Sequence, residues 1–134
     1  MPKINAATAN AVMYNGTHGN LCCAVLKANL AAVAAGTDVV MGQFDGNKVE
    51  VTDYRLHHDA LGSGVTLSVG HGQFDDSADD NDSIGAAAAS ASAGSKRMAK
   101  APVKLTEPSQ ILLGVAGGTA SGEATLTLFY TVIE

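Results

Sequence analysis

Four histidines and one acidic run are the side chains best suited to metal binding or acid–base chemistry. Residues 75–82 hold five aspartates, while His58 and His71 each continue one face of a predicted strand. Two histidines from neighbouring strands could bind a metal such as zinc. The alternative is that each lies at a strand end, where water or the backbone satisfies its ring. We favour the second interpretation and predict no metal ligand and no cofactor.

The acidic run does not match a calcium-binding loop. An EF-hand loop beginning at Asp80 would need an oxygen ligand at position 84 and a bidentate glutamate at position 91. The chain has Ile84 and Ala91 there. The run is therefore predicted to be a solvated loop. A second interpretation pairs its carboxylates with basic side chains of an adjacent subunit, namely Lys96, Arg97, Lys100 and Lys104.

The sequence lacks the common catalytic motifs. It has no G-x-S-x-G elbow, no P-loop, no G-x-G-x-x-G after a strand and no H-E-x-x-H. It has no Trp and only three Phe and three Tyr, so a stacking platform for sugars or bases is poorly supplied. The net charge of −5 and the pI near 5.2 oppose binding to phosphates. We predict no catalytic residue, no enzyme activity and no nucleic-acid partner.

The cysteines and the apolar runs indicate where the chain is made. Cys22 and Cys23 are adjacent, and neighbours in a strand point to opposite faces, so a disulfide between them is not expected. They indicate a reducing compartment. No apolar run approaches the roughly 18 residues of a membrane-spanning helix, and the first residues lack the apolar region of a secretory signal. We expect a soluble protein made in a cytoplasm, with no membrane partner.

Strands are the elements that must position these side chains. Residues 21–30 alternate in period two, with Lys27 and Asn29 on the outer face. Further strands are predicted over residues 37–44, 49–58 with a bulge near Thr52 and Asp53, 65–70, 111–115 and 124–132. Seven to eight short strands joined by turns are typical of a β-sandwich, and the connections favour a jelly-roll-like arrangement.

Two segments depart from the strand pattern. Residues 1–20 are small and polar and are predicted to form an extended N-terminal arm. Residues 75–104 are predicted to be a loop and helix insertion, in which Asp82 or Ser83 caps a short Ala-rich helix that stops at Gly94. Residues 21–134, which include this insertion, are predicted to form a single sandwich domain.

Alanine dominates the apolar composition. Hydrophobic residues are 46% of the chain, but 23 of them are alanines. Burial contributes roughly 25 cal/mol per Å² of apolar area, and alanine has little area to bury. We therefore expect a thin core that neighbours in an assembly complete. An ordinary, modestly stable monomer is the alternative.

Several segments together resemble one known family. The chain contains T-D-V-V-M-G from Thr37, D-A-L-G-S-G-V-T-L-S-V-G over 59–70, an Asp-rich loop followed by the predicted Ala-rich helix, and a glycine-punctuated final hairpin ending in L-F-Y-T-V-I. In these features it resembles the capsid cement, or head decoration, proteins of tailed bacteriophages. The resemblance implies a jelly-roll fold, self-association as a dimer or trimer, and attachment outside the head, where the protein bridges and stabilises major capsid subunits.

The resemblance implies a virion protein that is made in the host bacterial cytoplasm and carries no catalytic residue. The alternatives are a tail or head-fibre structural module and, third, a carbohydrate-binding β-sandwich or a metal-dependent enzyme. We predict that partner contacts come from the arm and from the insertion. The residues are Lys3, Ile4, Asn5, Met13, Tyr14, Asp75, Asp76, Asp79, Asp80, Lys96, Arg97 and Lys100.

Overall fold

The structure is a computed structural model that describes residues 3–9, 21–44, 48–73 and 79–133. Within these ranges the chain forms ten β-strands and no helix. They are β1 (Lys3–Asn5), β2 (Leu21–Val33), β3 (Thr37–Phe44), β4 (Val49–His58), β5 (Thr66–Gly72), β6 (Asp80–Ala89), β7 (Gly94–Arg97), β8 (Val103–Leu105), β9 (Ser109–Ala116) and β10 (Ala120–Val132). The described residues thus contain no helix suited to crossing a membrane.

The strands form two sheets. Sheet A has the order β1-β3-β9-β5-β6, and sheet B has the order β2-β10-β4-β7, with β8 also pairing with β4. The antiparallel pairs are nested along the chain: β2 with β10, β3 with β9, β4 with β7 and β8, and β5 with β6. Nested pairs split over two sheets are the jelly-roll arrangement. The predicted all-β sandwich is confirmed, with ten described strands where seven to eight were expected.

The period-two pattern accounts for the central strands of sheet B. In β2 the buried residues Leu26, Ala28 and Leu30 alternate with exposed ones, as the sequence predicted. The predicted bulge in β4 is confirmed, because Phe129 faces Asp53 whereas the next residue of β10 faces Val51. Thr52 is therefore the extra residue, and it lets the apolar pattern of β4 change phase without leaving the core.

The predicted Ala-rich helix after Asp82 is wrong. Residues 80–89 form strand β6, which pairs with β5 at the edge of sheet A. Alanine favours helices in isolation, but here the segment satisfies the main-chain groups of β5, which would otherwise be unpaired. Ile84 is fully buried in the core. Gly85 accommodates the ring of Tyr54, whose hydroxyl would overlap a side chain at that position.

Two aromatic rings join the sheets at the centre of the core. Phe44 in β3 and Tyr130 in β10 are both fully buried. Their ring centroids are 4.8 Å apart with an interplanar angle of 74°, an edge-to-face arrangement. Burial raises the pKa of Tyr130 to about 12. In a chain with no Trp, these two rings are among the largest fully buried side chains of the sandwich.

The first described residues lie on the chain's own sheet. Residues 3–5 pair in parallel with Asp38–Val40 of β3. The N–H of Ala6 then donates to the carbonyl of Val40 at 3.0 Å. Residues 10–20 of the predicted arm lie outside the described residues. The division of the chain into an arm and a sandwich domain stays a prediction.

Candidate interaction surface

The N-terminal segment covers part of the outer face of sheet A. Ala9 packs with Val40 and Leu112 in a small buried cluster that is separate from the main core. The hydroxyl of Thr8 donates to the carbonyl of Met41 at 2.6 Å, which fixes the segment beside β3. Apolar side chains on the outer face of this sheet are therefore buried by the same chain.

Residues 79–81 cover another part of the same face. Three glycines of sheet A, namely Gly70, Gly72 and Gly114, lie beneath this segment. At each of them a Cβ would overlap atoms of residues 79–81. Glycine inside a strand allows such a close approach, by backbone atoms at Gly70 and by side-chain atoms at Gly72 and Gly114. The three glycines therefore form a shallow channel that holds the segment against sheet A.

Polar contacts fasten both covering segments. The amide of Asn81 donates to the buried carboxylate of Asp38 at 2.8 Å. The ammonium of Lys3 lies 3.2 Å from the carboxylate of Asp79 and donates to the side-chain oxygen of Gln110 at 3.0 Å. Lys3 and Asp79 were both predicted to contact a partner, and here they contact each other within one chain.

Sheet B presents exposed side chains on its outer face, and residues 21–25 of β2 form an apolar part of it. Leu21 is 65% exposed and Val25 is 53% exposed. Cys23 lies exposed between them, opposite the half-buried ring of Phe129 on β10. Exposed large apolar side chains that cluster on one surface often mark an interaction site.

The other end of this face is cationic. Arg55 of β4 lies directly opposite Arg97 of β7, and both are exposed. Like charges in this position repel. The Nη2 of Arg97 lies 3.4 Å from the carboxylate of Asp53. A cleft of about 250 Å³ opens beside them, lined by Arg55, His57, Ser95, Lys96 and Arg97. Guanidinium groups arranged in this way can bind carboxylates of a partner.

The acidic run contacts a basic side chain of the same chain. The ammonium of Lys100 donates to the carbonyl of Asp82 at 2.7 Å. A hydrogen bond between their carboxyl groups lowers the pKa of Asp80 and raises that of Asp82. Of these two carboxyl groups, Asp80 is therefore the one that loses its proton first as the pH rises.

The predicted contact residues do not form one surface in the described part of the structure. Ile4 and Asn5 are exposed on β1, at the edge of sheet A, whereas Lys96 and Arg97 line the cleft on sheet B. Four of the residues lie outside the described ranges, namely Met13, Tyr14, Asp75 and Asp76. Contact with a partner stays a prediction for all of them.

Sequence reasoning missed the most exposed part of sheet B. Leu21, Val25 and Arg55 were not among the predicted contacts. The signal for Val25 was available, because it shares the period-two face of Lys27. The position of Arg55 opposite Arg97 could not be predicted from the local sequence, because it depends on which strands pair.

The two candidate histidines lie in different sheets. His58 of β4 is buried; its Nδ1 lies 2.9 Å from the carbonyl oxygen of Asp59, and its Nε2 has no hydrogen-bond partner. A carbonyl oxygen can only accept, so Nδ1 donates this hydrogen bond. The Nδ1 of His71 on β5 lies 2.6 Å from the hydroxyl of Ser83. Among the described residues, no group of three or more His, Cys, Asp or Glu could hold a metal ion.

His71 is expected to make the fold less stable in mild acid. Burial lowers its pKa below the ordinary value of 6.5, although Asp80 and Asp79 oppose the shift. As the pH falls through 6.5, the unfolded chain takes up a proton that the folded chain does not, so the free energy of unfolding decreases until the lowered pKa is reached. Urea midpoints between neutral pH and pH about 5 should fall less for His71→Gln than for the wild type.

The exposed His57→Gln variant is the control for this prediction and should keep the wild-type dependence on pH. A wild-type slope in His71→Gln would show that this ring does not titrate in the folding equilibrium.

Comparison with known proteins identifies similar folds. No protein-family model matches the chain, and no curated protein matches it. Among solved structures, a chain from the capsid of Ralstonia phage GP4 is 23% identical, with a TM-score of 0.75 over 96% of this chain and 97% of that one. A chain of the cyanophage Pam1 capsid asymmetric unit is 18% identical, with a TM-score of 0.67 over the full length of both.

A third similar fold comes from another phage. A chain from the acidic stable capsid of the Helicobacter pylori bacteriophage KHP30 is 14% identical, with a TM-score of 0.57 over 88% of this chain and 92% of that one. At these identities the likeness establishes a shared fold.

Proposed function

We propose that this chain is a structural protein of a phage virion, which decorates the outside of the head, self-associates and bridges major capsid subunits. The observation that carries the proposal is the likeness of its whole fold to chains from three phage capsids. The matches cover nearly the full length of each pair, so they compare entire jelly rolls. The proposed role is adhesion, without a catalytic step.

The two faces of the sandwich support this role. Part of the outer face of sheet A is covered by the chain's own residues 79–81 and by its N-terminal segment. The outer face of sheet B offers apolar side chains on β2 and a cationic cleft beside Arg55. We propose that sheet B faces the shell and that carboxylates of the major capsid protein bind in this cleft. Many weak contacts, repeated over a shell, then give strong attachment.

Co-sedimentation with heads tests the proposal. Heads of the phage that encodes this chain are prepared without it, and the purified chain is added back. The chain should sediment with the heads and saturate. Arg55→Ser should weaken binding about tenfold, because a hydrogen bond to a charged group is worth about 1.5–3 kcal/mol and about 1.4 kcal/mol is a factor of ten.

Ser92→Asp is the matched control. It changes the net charge by the same amount as Arg55→Ser, in an exposed bend between β6 and β7. It should bind heads as the wild type does. Failure of the wild-type chain to sediment with heads, or its location on the tail in a cryo-EM map of the virion, would overturn the proposal. Equal weakening by both variants would show that only net charge matters and would exclude the cleft as the contact.

A further inference from the structure

Strand β2 forms a long edge, and over residues 21–25 this edge has no charge, no bulge and no pairing strand among the described residues. Edge strands of soluble proteins are commonly short, charged or bulged, because their unpaired main-chain groups can bind another strand. The other described edges of the two sheets have these features. Strand β1 has three residues, β6 is irregular and acidic, and β7 and β8 are short and basic. Strand β2 has thirteen residues and pairs with β10 without a shift from Leu21 to Leu30.

Thr8 reveals which main-chain groups of β2 face outward. Its hydroxyl oxygen accepts the N–H of Lys27 at 3.3 Å and lies 3.4 Å from the carbonyl oxygen of the same residue. Alternate residues of an antiparallel strand direct both main-chain groups to the same side. The groups of Leu21, Cys23 and Val25 therefore point away from β10, and no described strand pairs with them. Because the hydroxyl of Thr8 already contacts the main-chain groups of Lys27, the part of the edge that can pair with another strand is residues 21–25.

We propose that residues 21–25 of β2 pair in antiparallel fashion with the same residues of a second copy of this chain. The two-fold axis lies at Cys23. Leu21 of each copy therefore lies opposite Val25 of the other copy. Each outward-facing pair exchanges two main-chain hydrogen bonds, so the three pairs make about six. This is an isologous contact, in which one patch is complementary to itself.

The composition of the segment favours a second copy as the partner. Residues 21–26 carry no charge, so two copies approach at this edge without local repulsion even though each chain has a net charge of −5. Leu21 and Val25, which are 65% and 53% exposed, bury each other across the axis. The pairing thus satisfies the main-chain groups and covers the apolar side chains with one contact.

The pairing joins two copies of sheet B into one continuous sheet. Its outer face has the apolar side chains of both β2 strands at the centre and an Arg55 cleft on each flank. The inference rests on the self-association in the proposed function and assigns it to specific residues. A two-fold face of this kind would contact two capsid subunits at once.

Sedimentation velocity of the head-free protein tests the pairing. The wild type should sediment as a dimer, whereas Val25→Lys should dissociate at least tenfold more readily, because it places charges at the apolar contact. Asn29→Lys is the matched control: it lies on the same exposed face of β2, outside residues 21–25, and should remain dimeric. Circular dichroism confirms that each variant is folded. A monomeric wild type, or a dimer that Val25→Lys does not weaken, would overturn the inference.

Crosslinking provides an independent readout. In a Cys22→Ser background, a bismaleimide with a short spacer should link Cys23 to Cys23 of the second copy, since paired Cα atoms lie about 5.5 Å apart. Adding Val25→Lys should remove the link. A dimer that does not crosslink would place the contact elsewhere. If Val25→Lys is monomeric and still binds heads, the pairing is supported and head binding does not require it. A crosslinked dimer that does not bind heads would overturn only the proposed function.

Discussion

Replacing Gly70 with alanine is expected to lower the free energy of unfolding by roughly 3 kcal/mol, at the upper end of the usual cost of overpacking. The new Cβ would overlap the backbone of Asp80 and Asn81. Backbone atoms held by strand pairing cannot turn aside as the tip of a flexible side chain can. The covering segment would have to lift, and buried Asp38 would lose the hydrogen bond from Asn81. A buried acceptor that loses its donor adds to the cost.

Urea unfolding measures this change, and hydrogen–deuterium exchange over residues 79–82 locates it. Gly94→Ala is the matched control, because its Cβ would meet only the Cε1 of His58, at 4.0 Å. The control should change stability by less than about 1 kcal/mol. A Gly70→Ala variant as stable as the control, with unchanged exchange, would show that residues 79–81 are not held against sheet A.

The channel formed by Gly70, Gly72 and Gly114 could be predicted from the sequence only in part. Glycine inside a strand is a recognised mark of close backbone approach, yet the sequence suggested that the strand ended at Gly70. Strand β5 in fact continues to Gly72. Gly114 lies more than forty positions further along the chain and becomes a neighbour only because β9 pairs with β5. The order of strands in the sheet, which the local pattern does not encode, creates the channel.

The difference between local sequence pattern and strand pairing also explains why the strand predictions were correct and the helix prediction was wrong. Strands with one apolar face, such as β10, were predictable because burial of that face sets the period. The Ala-rich residues of β6 have no such face, so helix propensity decided the prediction, whereas pairing with β5 decides the structure. The cationic cleft has the same origin. Arg55 and Arg97 are 42 positions apart, and only the pairing of β4 with β7 brings them together.

Replacing Phe44 with alanine is expected to cost about 3–5 kcal/mol, the usual range for removing a large buried ring. Phe44 is fully buried and meets Tyr130 edge to face, a contact worth about 0.5–1.5 kcal/mol beyond the buried area. Small side chains elsewhere in the core, such as Ala120 and Ala124, cannot extend to fill a cavity. The loss of this fully buried ring is therefore severe.

Thermal and urea unfolding measure the effect, with Phe44→Leu and Phe129→Ala as controls. Leucine keeps most of the volume and should cost less than about 1.5 kcal/mol, and Phe129 is only half-buried on the outer face of sheet B. A Phe44→Ala variant with the melting temperature of the wild type would show that the ring pair does not hold the sheets together.

The same variant tests whether neighbours complete a thin core. A domain is typically stable by about 5–15 kcal/mol in total, so Phe44→Ala should leave the isolated chain close to its unfolding transition. Binding that favours the folded state adds stability by mass action. If the chain attaches to heads through sheet B, Phe44→Ala should melt well above its isolated value when bound, because the substitution lies between the sheets and leaves the outer face intact. An equal melting temperature in both states would mean that assembly does not support this core.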